Sequence, residues 1–150
     1  MHLILDGYGT DPQLLQDEGF IYNLLDRFPA QIGMTKITPP FVFRYVGSKP
    51  EDWVVSGFVL IAESHIAIHT FVEKRLLNID IFSCKEFDAH QVAQALKEEF
   101  HLSQVRSYVL GRGLEYSASS PLPIQKMELP QGTRAGRGGT GLGHVGTTSP

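Results

Sequence analysis

The sequence contains a single cysteine, Cys84, so no intrachain disulfide is available to staple the fold. No apolar run approaches the ~18 residues of a membrane span. The first residues, Met1 to Gly9, lack the basic segment and long apolar stretch of a secretory signal. No excess of one charge stands out either. Thirteen basic and sixteen acidic side chains leave a formal charge of −3, which gives no reason to expect nucleic acid or a membrane surface as a partner. At 150 residues there is too little chain for two ordinary domains. These absences point to a cytoplasmic protein whose lone thiol stays reduced and available.

What is present is patterned. Hydrophobic residues make up 42 % of the chain, enough for a real core. Residues 2–8 read as a strand ending in a glycine-containing turn. Asp11-Pro12 reads as a helix start, with Asp as N-cap and Pro at the first helical position. Leu14, Leu15, Ile21, Leu24, Leu25 and Phe28 follow at roughly helical spacing, with Gly19 a weak point and Pro29 the expected end. A strand is expected near Lys36–Tyr45, with Pro39-Pro40 at its edge or start. Residues 54–62 are the most apolar run, and 65–71 and 77–83 alternate as the arms of a hairpin. Asp88 caps a second helix with Val92, Ala93, Leu96 and Phe100 along one face. Residues 104–110 complete a β-α-β-β-β-β-α-β order. The expected fold is α+β, a two-layer sandwich of helices on an antiparallel sheet.

After about Glu115 the composition turns to Ser, Pro, Gly and Thr. The domain is therefore drawn at 1–116, and 117–150 is expected to be a flexible low-complexity tail. Its GRGGTGLG stretch looks superficially like a phosphate-binding loop, but it follows no strand and opens no helix.

Chemistry concentrates at the hairpin. With a turn centred near Lys74, Ser64 is expected opposite Cys84 and Ile66 opposite Phe82, roughly 5 Å apart between Cβ atoms. His65 and His69 share one face of their strand. Ser64 has the other parity, so a bulge or turn at Glu63-Ser64 is required to bring it toward His69. Each residue alone has an ordinary structural explanation. A zinc site is disfavoured, because His65, His69 and one Cys supply no clear fourth ligand, and no metal is expected. A Cys-His nucleophile pair is open, but it leaves Ser64 without a role.

The segment Glu63-Ser64-His65-Ile66-Ala67-Ile68-His69-Thr70 resembles the self-cleavage region of the small prokaryotic S-adenosylmethionine decarboxylases. The likeness continues through Glu73 and through Asn78-Ile79-Asp80-Ile81-Phe82-Ser83-Cys84. Upstream, Ser56-Gly57 stands where that family has Ser-Gly. The resemblance covers roughly residues 2–112. It implies cleavage between Glu63 and Ser64, Ser64 becoming a pyruvoyl group, the only cofactor expected. It associates Ser56 and His69 with processing, and makes Cys84 the proton donor to the decarboxylated carbon. Glu73 matches the carboxylate that binds the ribose hydroxyls. The implied activity is decarboxylation of S-adenosylmethionine for spermidine synthesis, through a Schiff base, by a homodimer of cleaved protomers. Two departures stand out. Val72 replaces the family's proline before Glu73, and Val54-Val55 replaces a Gly-containing pair before Ser56. The first puts substrate choice in more doubt than cleavage. The alternatives are a pyruvoyl decarboxylase of arginine or ornithine, and an inactive regulatory paralogue.

Overall fold

The computed structural model describes residues 1–49, 52–112 and 125–127. The elements run β1 (His2–Tyr8), α1 (Pro12–Gln16), α2 (Glu18–Gln31), β2 (Phe41–Tyr45), β3 (Val54–Ile61), β4 (Ser64–Phe71), β5 (Leu76–Ser83), α3 (Ala89–Glu99), β6 (Gln104–Leu110) and β7 (Gln125–Met127). The strands form one sheet in the order β2-β3-β4-β5-β1-β6-β7. Every pairing in it is antiparallel. The three helices cover one face, so the fold is the expected α+β sandwich of two layers. Among the described residues no helix is long and apolar enough to cross a membrane.

Period-two alternation decides which side chains go where. Leu3 and Leu5 of β1, Val55, Val59 and Ile61 of β3, Ile66 and Ile68 of β4, and Leu77, Ile79 and Ile81 of β5 are all buried under the helices. They meet Ile21, Leu24, Leu25 and Phe28 of α2 and Val92, Ala93 and Leu96 of α3 in one core. Their neighbours in sequence point to the other, uncovered face. Gly57 explains how closely α2 can lie on β3. A Cβ there would come within 2.8 Å of Leu25 Cδ1 and 3.2 Å of Ile21 Cγ2.

Several boundaries differ from the sequence expectation. The single helix expected from Asp11 is two. Asp17 leaves helical geometry (φ −82°, ψ 98°), and its carboxylate accepts the Phe20 N–H, capping a new helix. Gly19 then sits in a first turn rather than mid-helix, where its cost is greatest. Pro29 does not end α2. The stop comes after Gln31, where Gly33 takes φ +72° and the Met34 N–H returns to the Pro29 carbonyl at 2.8 Å. The strand expected near 36–45 forms only over Phe41–Tyr45, because two consecutive prolines offer no N–H to a ladder. Lys36 makes an isolated bridge to Ile61. Within the stretch expected as a tail, Gln125–Met127 pairs with β6 as an edge strand. The rest of that stretch lies outside the described residues.

Candidate active site

The hairpin register corrects the sequence reading by one residue. Ser64 stands opposite Ser83, not Cys84, and His65 opposite Phe82. The connection closes in four residues, Val72–Arg75, because Arg75 adopts a left-handed φ of +49°. Its N–H bonds the Val72 carbonyl at 3.1 Å, and its Nε reaches the Thr10 carbonyl at 2.8 Å. A turn one residue shorter than expected moves every partner by one. Cys84 therefore lies just beyond the pair, exposed, with its backbone N–H on the Glu63 carbonyl at 3.0 Å.

Glu63 is held from several directions. It lies in the two-residue turn between β3 and β4. Its carboxylate accepts the Thr35 N–H at 3.1 Å, its carbonyl accepts the Cys84 N–H, and the neighbouring Ala62 N–H bonds the Thr35 carbonyl at 2.8 Å. The tight turn is absorbed at the next residue. Ser64 takes φ +153°, a region that side-chain-bearing residues rarely occupy and that costs of order 1–3 kcal/mol. A distortion was expected here, but it turns Ser64 toward His65 and not toward His69. It lets the Ser64 hydroxyl reach His65 Nδ1 at 3.1 Å. Sequence reasoning put the two histidines on one face but gave His65 no role.

At the other end of β4, His69 pairs with Ser56 across β3, and Ser56 Oγ hydrogen-bonds His69 Nδ1. Its ring packs edge-on against Phe71 with centroids 4.7 Å apart. Burial lowers the His69 pKa, so the neutral ring is favoured. The row continues through Asn78, whose amide donates to Asp6 Oδ1 at 2.6 Å. A hollow of about 230 Å³ opens over this row, lined by Phe43, Ser56, Phe58, Ala67, His69 and Asn78. A larger hollow, about 290 Å³, lies between α2 and α3 and contains none of these residues. Thr70, next to His69, points inward. Its hydroxyl donates to the Leu15 carbonyl at 2.8 Å and accepts the Val55 N–H at 3.0 Å, tying α1 to the sheet.

The candidate residues thus fall into two groups. Glu63, Ser64, His65 and Cys84 gather at one end of β4. Ser56 and His69 gather toward the other, with Glu73 exposed in the turn beyond. Five residues of strand separate Ser64 from His69, roughly 17 Å at 3.3 Å per residue. Within one chain the groups do not meet.

The chain and its fold are matched by known proteins. Residues 1–113 match the family model for S-adenosylmethionine decarboxylase. A crystal structure of the adenosylmethionine decarboxylase from Aquifex aeolicus superposes with a TM-score of 0.59 at 20 % identity, covering 89 % of this chain and 93 % of that one. The S-adenosylmethionine decarboxylase proenzyme of Archaeoglobus fulgidus is 36 % identical over 115 residues, spanning 75 % of this chain and 96 % of the relative. The proenzyme of Pyrococcus furiosus is 28 % identical over 120 residues, 79 % and 82 % of the two chains. The chain belongs to the S-adenosylmethionine decarboxylase family, a family of carboxy-lyases.

Proposed function

We propose that this chain is the precursor of a pyruvoyl-dependent S-adenosylmethionine decarboxylase that cuts itself between Glu63 and Ser64. One observation carries the reading. The Glu63–Ser64 peptide has its carbonyl bonded to the Cys84 N–H and its serine at φ +153°. A hydroxyl on Cβ attacks the preceding carbonyl through a five-membered ring. A donor already on that carbonyl oxygen stabilises the oxyanion that develops. The junction therefore suits a group made from Ser64. Once formed, a pyruvoyl group supplies an electrophilic carbonyl and an electron sink for loss of carbon dioxide.

The remaining roles are those the family resemblance implies, and the positions of Cys84 and His69 support theirs. Cys84 is exposed beside the junction and has a transferable proton for the substrate carbon. Ser56 fixes the His69 ring through Nδ1, which leaves Nε2 for proton transfer. Glu73 is the carboxylate for the ribose hydroxyls.

The two-ended layout favours a site built from two copies. A two-fold axis that lays uncovered face on uncovered face, with the β4 strands reversed, brings the Ser64 end of one protomer over the His69 end of its partner. The face is suited to burial. Phe41, Phe43, Phe58 and Leu60 are 53, 56, 39 and 40 % exposed on it. Phe41 and Phe58 stack with their rings 5.5 Å apart, which offers apolar cover for a second sheet or a flat base. In this reading the enzyme is a homodimer of cleaved protomers that provides the aminopropyl donor for spermidine.

Intact mass and carbon dioxide release test the proposal together. Cleavage gives chains of 63 and 150 − 63 = 87 residues, the larger with a blocked N-terminus and a carbonyl reactive to hydroxylamine. S-adenosylmethionine is expected to be turned over, and arginine and ornithine left alone. Turnover of a basic amino acid instead would overturn the substrate. An uncut, carbonyl-free chain would overturn the mechanism.

A further inference from the structure

We infer that His65 is the base that starts self-cleavage, taking the proton from the Ser64 hydroxyl and returning it to the nitrogen that leaves. The inference rests on the self-cleavage reading above and assigns a residue to its first step. His65 Nδ1 lies 3.1 Å from Ser64 Oγ, within the reach a general base needs. His69 is removed by roughly 17 Å of strand in the same chain, so within the protomer it does not reach the Ser64 hydroxyl. The unusual φ at Ser64 is what turns the hydroxyl toward the face that carries His65. The environment keeps the base ready. Burial lowers the His65 pKa, with smaller contributions from His2 and Arg112 opposed by Asp80, so the ring is neutral at physiological pH. Phe82 packs edge-on against it with centroids 5.9 Å apart and holds its plane.

The step balances without any other reactant. The Oγ–H bond breaks as Nδ1 takes the proton, and Oγ bonds to the Glu63 carbonyl carbon. The oxyanion stays on the oxygen that faces the Cys84 N–H. It collapses with loss of the bond from that carbon to the Ser64 nitrogen. His65 delivers its proton to that nitrogen, which leaves an ester and a free amine. Later removal of the Cα proton does not require His65.

The test follows full-length precursor made by cell-free synthesis and sampled over time on denaturing gels. Wild type is compared with His65→Gln and with His65→Ala, the latter with and without free imidazole. Cleavage of His65→Gln is expected to slow by about 10²–10⁴-fold, the usual contribution of a positioned base. Imidazole is expected to speed His65→Ala. The uncut variant should resist neutral hydroxylamine, which cuts oxygen esters and not amides. Cleavage of His65→Gln within about threefold of wild type would overturn the inference. So would a stalled precursor that hydroxylamine cuts, since the ester would then form without His65. If both variants misfold, the wild-type rate against pH decides. The rate must fall as pH drops below the ordinary histidine range, and a profile that stays flat down to the pH at which the precursor unfolds overturns the assignment. Wild type that never cleaves removes the self-cleavage reading and this step with it.

Discussion

The two ends of β4 differ in kind although eight residues of one strand join them. At the Ser64 end the backbone is distorted, the neighbouring cysteine is exposed, and the polar groups are aimed at a peptide bond. At the His69 end the strand itself is regular, and the left-handed residue, Arg75, lies beyond it in the turn. Thr70 is fully buried and hydrogen-bonded to both flanking elements, and Gly57 lets α2 close over the pair of strands. One end stores local strain, and the other is the rigid platform on which it is held. Functional sites commonly divide this way, because strain persists only where surrounding structure over-determines it.

The largest effect expected breaks the comparison outright. Ser64→Ala should remain a single uncut chain without activity, and Glu73→Gln should cut normally but turn over poorly. If a site takes Ser64 from one protomer and Glu73 from the other, mixing the two variants restores one good site per mixed dimer. With random exchange the mixture recovers about a quarter of wild-type turnover. A mixture no more active than its better parent would place both residues in one protomer's site. Carbon dioxide release after co-expression reads this directly.

Next in size is Cys84. Its backbone N–H contacts the Glu63 carbonyl, and its thiol is free for a different task. Cys84→Ala keeps the first and removes the second. Chain cleavage should persist while turnover falls by about 10²–10⁴-fold. Loss of both at once would mean that the thiol serves processing as well.

Thr70→Val probes the platform. The change leaves the buried Val55 N–H and Leu15 carbonyl without their partner. It should destabilise the fold by about 1–3 kcal/mol, read as a lower Tm, with Ser64 still cut. A Tm within experimental scatter of wild type would show that water or a neighbouring group replaces the hydroxyl.

Much of this layout was legible in the sequence, and the misreadings have physical causes. Strands β1, β4, β5 and β6 alternate cleanly because one face is buried, so their parity and the shared face of His65 and His69 could be read directly. The hairpin register could not. It depends on Arg75 accepting a left-handed φ, which arginine does not advertise as glycine would. The break at Asp17 was hidden because apolar spacing runs on through both helices. The Glu63–Ser64 distortion was anticipated only as a need, from parity. The role inferred for His65 was missed because it depends on that distortion. The separation of Ser64 from His69 follows from strand rise alone, yet motif proximity in sequence conceals it.

The smallest effect expected sharpens the comparison through pH. Burial lowers the pKa of both His65 and His69 below the ordinary 6.5, one histidine at each end of the strand. The unfolded chain then binds more protons than the folded one as pH falls through that range. Stability is therefore fully present above about pH 6.5 and is lost as pH drops through the folded pKa values. Both rings are only half-buried, so the loss is modest. The uncut Ser64→Ala chain is the right subject, since its two ends stay covalently joined. Its Tm should fall between pH 7.5 and 5.5, and adding His65→Gln or His69→Gln should each flatten that fall. If His69→Gln leaves the slope unchanged while His65→Gln abolishes it, the pH response belongs to the strained end alone. The His69 ring would then stay as neutral unfolded as folded, and burial at the platform end would have to be weaker than its packing against Ser56 and Phe71 implies.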